Sequence, residues 1–168
     1  CTSYNAGFAN AALRGDRYRS EGIRAYQFMI ERAMNGPFSW WEGASAPNPK
    51  SLWQGEHPAK GTGSCPHAWG DSLSRKILLN SLIDEFADGR VVIGRGIPEE
   101  WLAPGGEIRI TNVPLQDNRR FGYHLTAERD SIRIEFIGDT PAGEIIIDLP
   151  GQPVQRAEAS SRSVNLKL

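Results

Sequence analysis

Long apolar runs are missing from this sequence, and so is any excess of one charge. No stretch approaches the roughly 18 apolar residues that cross a bilayer, and no charged-then-apolar leader opens the chain, so no membrane partner is expected. Lys and Arg number 19 against 20 Asp and Glu, a net charge of −1. Such balance gives no general pull toward nucleic acid or anionic lipid, and no nucleic-acid partner is expected. There are 2 cysteines, Cys1 and Cys65, too far apart in sequence to say anything of the redox compartment. No Asn-x-Ser/Thr acceptor occurs. Histidine is scarce: His57 and His67 with Cys65 match no standard zinc spacing and no second pair completes them, so no metal is expected. Gly61-x-Gly63 and Gly94-x-Gly96 lack a third glycine and a βαβ setting, which argues against a dinucleotide, and no cofactor is expected.

The chain opens on Cys1 instead of Met and runs almost at once into helix-like sequence (Ala6, Phe8, Ala9, Ala11, Ala12, Leu13), which leads us to expect a processed or truncated product. A self-cleaved nucleophile or a lipidated terminus at Cys1 has no support from its neighbours.

What is present suits packed structure. In 168 residues, 39% are apolar and 23% charged, enough for one ordinary domain or two small units with a core. From Arg17 to Met34, Ile23, Tyr26, Ile30 and Ala33/Met34 form a one-sided helical stripe, closed by Asn35-Gly36-Pro37. A second helix is expected from His67 to Phe86, its face of Leu73, Ile77, Leu78, Leu79, Leu82, Ile83 and Phe86 broad enough to pack on two sides. After Asp88-Gly89 the character changes to short β-like runs, Arg90–Ile93, Glu107–Val113, Phe121–Thr126, Ser131–Ile137 and Glu144–Leu149, separated by turn-rich segments. Ile132, Ile134 and Phe136 alternate with Arg133 and Glu135, as in a strand with one wet face. Helices followed by strands, without βαβ alternation, give an α+β class. The expected division is residues 1–88, terminal helices and a Trp-rich loop, then residues 89–168, a β-rich domain.

The chemistry concentrates in the long loop from Phe38 to Cys65 and the helix start behind it. Four of the five Trp lie between residues 40 and 69. Trp40, Trp41, Trp53 and Trp69 there stand among Glu42, Glu56, His57, His67 and Asp71. Sugar rings offer apolar C–H faces that stack on aromatic rings, and hydroxyls that need carboxylates and other hydrogen-bonding groups. The plainer reading is that the indoles pin a long loop to the helices beneath. Glu42 is the candidate catalytic residue, since glycoside cleavage needs one carboxyl to protonate the leaving oxygen and another to activate water or attack the sugar. Its indole neighbours would raise its pKa if they buried it; in water it is an ordinary loop glutamate. Glu56 and Asp71 are weaker candidates, and Asp71 equally suits stabilising a helix start.

Three segments carry a resemblance: Trp40-Trp41-Glu42; Gly63-Ser64-Cys65-Pro66-His67-Ala68-Trp69-Gly70; and Asp88-Gly89-Arg90 through Ile97-Pro98-Glu99-Glu100-Trp101-Leu102. Over about residues 38–115 the chain resembles the end of bacterial six-hairpin glycosidase-type enzymes. That resemblance implies the last helices of an (α/α)6-type barrel followed by an antiparallel β-sandwich-like domain. It also implies an inverting carbohydrate-active enzyme with Glu42 as the later of two carboxylates and its partner upstream of Cys1. The partners implied are an oligo- or polysaccharide and a missing N-terminal part of the same protein. Hydrolase and phosphorylase chemistries both occur in such barrels. The rival readings are a non-catalytic carbohydrate-binding β-sandwich and a purely structural cover.

Overall fold

The computed structural model describes residues 1–31, 33–46 and 60–168, which divide into two compact units, Cys1–Asn80 and Ser81–Leu168. The composition change near Gly89 lies inside the second unit.

In the first unit, α1 (Thr2–Leu13) and α2 (Arg19–Glu31) lie side by side. Small residues on the inner face of α1 allow this, with Ala6, Ala9 and Leu13 buried against Tyr26. Gly22 of α2 is what lets the helices close: a methyl group there would sit 3.0 Å from the Ala9 carbonyl and 3.0 Å from the Leu13 side chain. Gly15, in extended conformation, and a 3-10 turn over Asp16–Tyr18 separate the two helices. Beyond α2, β1 (Met34–Gly36) and β2 (Ser39–Trp40) form a hairpin around Pro37-Phe38, with Phe38 at φ 51°. The expected helix through Met34 therefore ends earlier, and Met34 is buried from a strand. β3 (Gly43–Ala46) pairs with β4 (Lys60–Thr62), and α3 (Ala68–Leu82) adds Ile77 to the helical core. The Asn80 amide donates to Asn10 Oδ1 at 2.9 Å, fixing α3 on α1.

The second unit carries two four-stranded sheets. In the first, β5 (Ile83–Glu85) pairs antiparallel with β6 (Val91–Ile93). Three further strands, β7 (Glu107–Pro114), β8 (Arg120–Ala127) and β9 (Ser131–Gly138), follow in the chain before it returns to that sheet. There β10 (Ile145–Ile147) runs parallel to β6, and β11 (Gln155–Ala157) closes the edge antiparallel to β10. The last strand, β12 (Ser163–Lys167), completes the second sheet in the order β12-β9-β8-β7, antiparallel throughout. Val91–Ile93 and Ile145–Ile147 are buried at every position, which explains their unbroken apolar runs in place of alternation. In the antiparallel sheet Phe121, Tyr123, Leu125, Ile132 and Ile134 point inward, while Arg109, His124 and Glu135 stand in register on the wet face.

Three expectations are corrected. The described residues hold three helices of 12, 13 and 15 residues, not part of a helical barrel, and strands fill the space between and after them. The β-rich part is not antiparallel throughout, because β6 and β10 run parallel. The expected helix to Phe86 stops at Leu82, and Ile83 turns into β5 as a sheet residue. The helix pattern misled because Ile83 falls on the helical stripe and is equally buried when taken up by a sheet. The α+β class is compatible with what is observed.

Candidate functional site

Trp40 organises the first unit from inside. It is 0% exposed, packed with Met29, Ala33 and Met34, and its indole N–H donates to the Met29 carbonyl at 2.8 Å. That carbonyl lies in the last turn of α2, where helix geometry leaves carbonyls without an intrahelical donor. Its backbone N–H donates to Asp71 Oδ1 at 3.0 Å, and its carbonyl accepts from the His67 N–H at 3.0 Å. Both Trp40 and Asp71 are thus bound into the scaffold, and a sealed indole does not reach a ligand. The carboxylate of Asp71 also suits the positive end of α3, in whose first turn it stands.

The next two residues, Trp41 and Glu42, are tied down through their backbone. Thr2, at the start of α1, donates its hydroxyl to the Trp41 carbonyl at 2.7 Å and its backbone N–H to the Glu42 carbonyl at 2.9 Å. The Glu42 N–H donates to the Ser64 carbonyl at 3.0 Å. Two glycines make room for the side chains. A methyl group on Gly61 would meet Trp41 Cγ at 2.2 Å, and one on Gly63 would meet Glu42 Oε2 at 2.3 Å. Gly63 also holds φ +83°, a conformation costly for any other residue. The Gly61-x-Gly63 pair is therefore the bed on which Trp41 and Glu42 lie. Glu42 itself is exposed.

α3 begins beside them. His67 Nδ1 accepts from the Gly70 N–H at 3.2 Å, satisfying one of the free amides of the first turn. With Nδ1 as acceptor, a neutral imidazole carries its proton on Nε2. Gly70 packs against Thr2, so a methyl there would sit 2.6 Å from Thr2 Oγ1. That contact brings Trp69 to α1, where its indole meets the Tyr4 ring edge-on, centroids 5.2 Å apart and planes at 84°. The His67 ring lies 6.3 Å from that of Trp69, centroid to centroid, with the planes tilted at 55°. Trp69 is 49% exposed and Tyr4 58%.

No family model, curated protein or solved structure matches this chain.

The fold thus brings Trp41, Glu42, His67 and Trp69 to one corner of the first unit through Thr2 and Gly70. Trp53, Glu56 and His57 lie outside the described residues. Sequence reasoning missed Tyr4, Phe8 and the linking Thr2. A signal was available: Tyr4 and Phe8 are four apart on α1, opposite the small buried residues Ala6 and Ala9, so two large rings stand on a face that the helix core does not use. Among the described residues no group of three His, Cys, Asp or Glu side chains is arranged to hold a metal ion, and no helix is long and apolar enough to cross a membrane.

Proposed function

We propose that the chain handles carbohydrate, with the Tyr4–Trp69 corner as its sugar-stacking surface and Glu42 as a carboxylate of glycoside hydrolysis. The observation that supports this best is the exposed, perpendicular Tyr4–Trp69 pair with the His67 imidazole next to it. Large rings of this kind normally hide their faces; here half of each remains open to solvent. Pyranose C–H faces fit such rings, and the hydroxyls at their rim find Glu42 and the Nε2–H of His67. The resemblance of the Trp40-Trp41-Glu42 and His67–Gly70 segments to carbohydrate-active enzymes supports the same reading. Hydrolysis needs two carboxyl groups. Asp71 is committed to the Trp40 N–H, so the second one is to be sought elsewhere in the protein.

A non-catalytic sugar-binding role is the second reading, favoured by the exposure of Glu42, since an acid catalyst of raised pKa is commonly desolvated. Tryptophan fluorescence against soluble oligosaccharides, beside a reducing-sugar release assay, separates the two. Saturable quenching lost in Trp69→Ala, with release lost in Glu42→Gln, is the expected result. Quenching without release selects the binding role. A flat response to every saccharide, with no release, removes carbohydrate handling altogether.

A further inference from the structure

The aromatic surface does not end at Tyr4. Phe8, one helical turn further along α1, is 76% exposed, more than either ring of the corner. Residues four apart on a helix share a face, and one turn advances about 5.4 Å. Trp69, Tyr4 and Phe8 therefore follow one another in a row, the first step a ring contact of 5.2 Å and the second a single turn of helix. On the C-terminal side of Phe8 the neighbours on α1 are small, Ala11 exposed and Ala12 half-buried. The ring consequently stands above a low surface instead of filling a gap in a crowded one. A lone exposed apolar residue is ordinary, but three large aromatics in file are not.

We infer that the row is a track for a saccharide of at least two units, with one ring seated at Trp69 and Tyr4 and the next reaching Phe8. This rests on the carbohydrate reading of the corner and adds its length requirement. The His67 imidazole sits at the Trp69 end, whereas Phe8 has no hydrogen-bonding group of its own. Phe8 therefore contributes stacking alone, and only a ligand long enough to reach it gains from its presence. A monosaccharide at the corner is indifferent to Phe8. Exposed rings in succession, with an imidazole at one end, fit a linear, ring-bearing ligand better than a protein partner, which would need a broader apolar area than a single row supplies.

The test is a calorimetric titration of the whole 168-residue chain with cello-, xylo-, malto- and chito-oligosaccharides of one to six units. In the series that binds, affinity is expected to rise about tenfold between one unit and three. Phe8→Ala is expected to remove that gain and leave the affinity for a single unit unchanged, whereas Trp69→Ala weakens every length. Because Phe8 is an exposed position, its replacement by the better helix former Ala leaves the fold intact, which circular dichroism checks. Length-independent affinity that still depends on Trp69 overturns the track and leaves the carbohydrate reading standing. A gain with length that survives Phe8→Ala also overturns it, since the added units then lie elsewhere. Absence of binding by every series overturns both. Concentration-dependent self-association abolished by Phe8→Ala, without any gain with length, makes the row a surface for a second copy and likewise overturns the track.

Discussion

Gly63 shows how much one residue can carry. At φ +83°, with Glu42 Oε2 2.3 Å from where a Cβ would be, it answers both to the backbone and to the candidate carboxylate. Gly105 has a similar φ, +89°, but open space where its Cβ would go. Gly63→Ala and Gly105→Ala should therefore each cost about 1–2 kcal/mol through the left-handed backbone. Only Gly63→Ala should also displace Glu42 and reduce the response to saccharide, so unfolding curves and sugar titrations on the pair separate strain from site geometry. Trp40 answers a different question. Removal of its fully buried indole in Trp40→Ala should lower stability by about 3–5 kcal/mol in urea unfolding. A loss below about 1 kcal/mol would contradict its role as the anchor. That Trp40 would be sealed and Trp69 open was not legible in a list of four indoles, because exposure depends on which neighbours the fold delivers.

At the scale of elements, the β5–β6 connection is held by charge as well as by turn chemistry. Gly89 supplies the φ of +82°, and Arg90 places its guanidinium 2.7 Å from Asp88 Oδ2 and its backbone N–H 3.1 Å from Asp88 Oδ1. The Arg90 side chain first, and its backbone N–H second, hold the Asp88 carboxyl below the usual aspartate range. A carboxyl with a lowered folded pKa contributes stability that is present above the ordinary value of about 3.9 and lost as the pH falls through the lowered one. A carbon-detected NMR titration should find the Asp88 midpoint below that ordinary value, and Arg90→Ala should move it part of the way back, because the backbone N–H of residue 90 remains. An unshifted midpoint in the unaltered chain would refute the pairing. Asp88-Gly89 was readable as a chain break but was expected to end a helix, whereas it turns β5 into β6; the strands from β6 to β10 were readable from their apolar runs and alternation. The short strands β1 to β4 were not, because segments of two to four residues are defined by their partner and carry no period of their own.

For the molecule as a whole, the second unit depends on a connection that leaves one sheet at β6, builds most of the other, and returns beside β6 as β10. The return is fastened where the two parallel strands end: the Asp148 N–H donates to the Ile93 carbonyl at 3.0 Å, and Arg95 pairs with the Asp148 carboxylate. The Asp148 side chain is 5% exposed and that of Arg95 17%, so neither is well solvated. Removing the carboxylate takes a close counter-charge from a poorly solvated guanidinium, and Asp148→Ala should cost up to about 3 kcal/mol by circular dichroism during urea unfolding. A change within 0.5 kcal/mol, about the effect of an ordinary surface substitution, would show that the closure does not rely on the pair.

Local chemistry alone determined much of this protein. Ala-rich and amphipathic segments became helices, alternating segments became strands and glycines marked turns, because each of these depends on residues a few positions apart. The tertiary structure decided what distance in sequence conceals. Helical periodicity reports that one face is buried and not what covers it, so a broad stripe on α3 was equally compatible with a barrel and with the small helical core observed. In the same way, Tyr4 and Trp69, 65 positions apart in the numbering, became one surface only once Gly70 closed against Thr2.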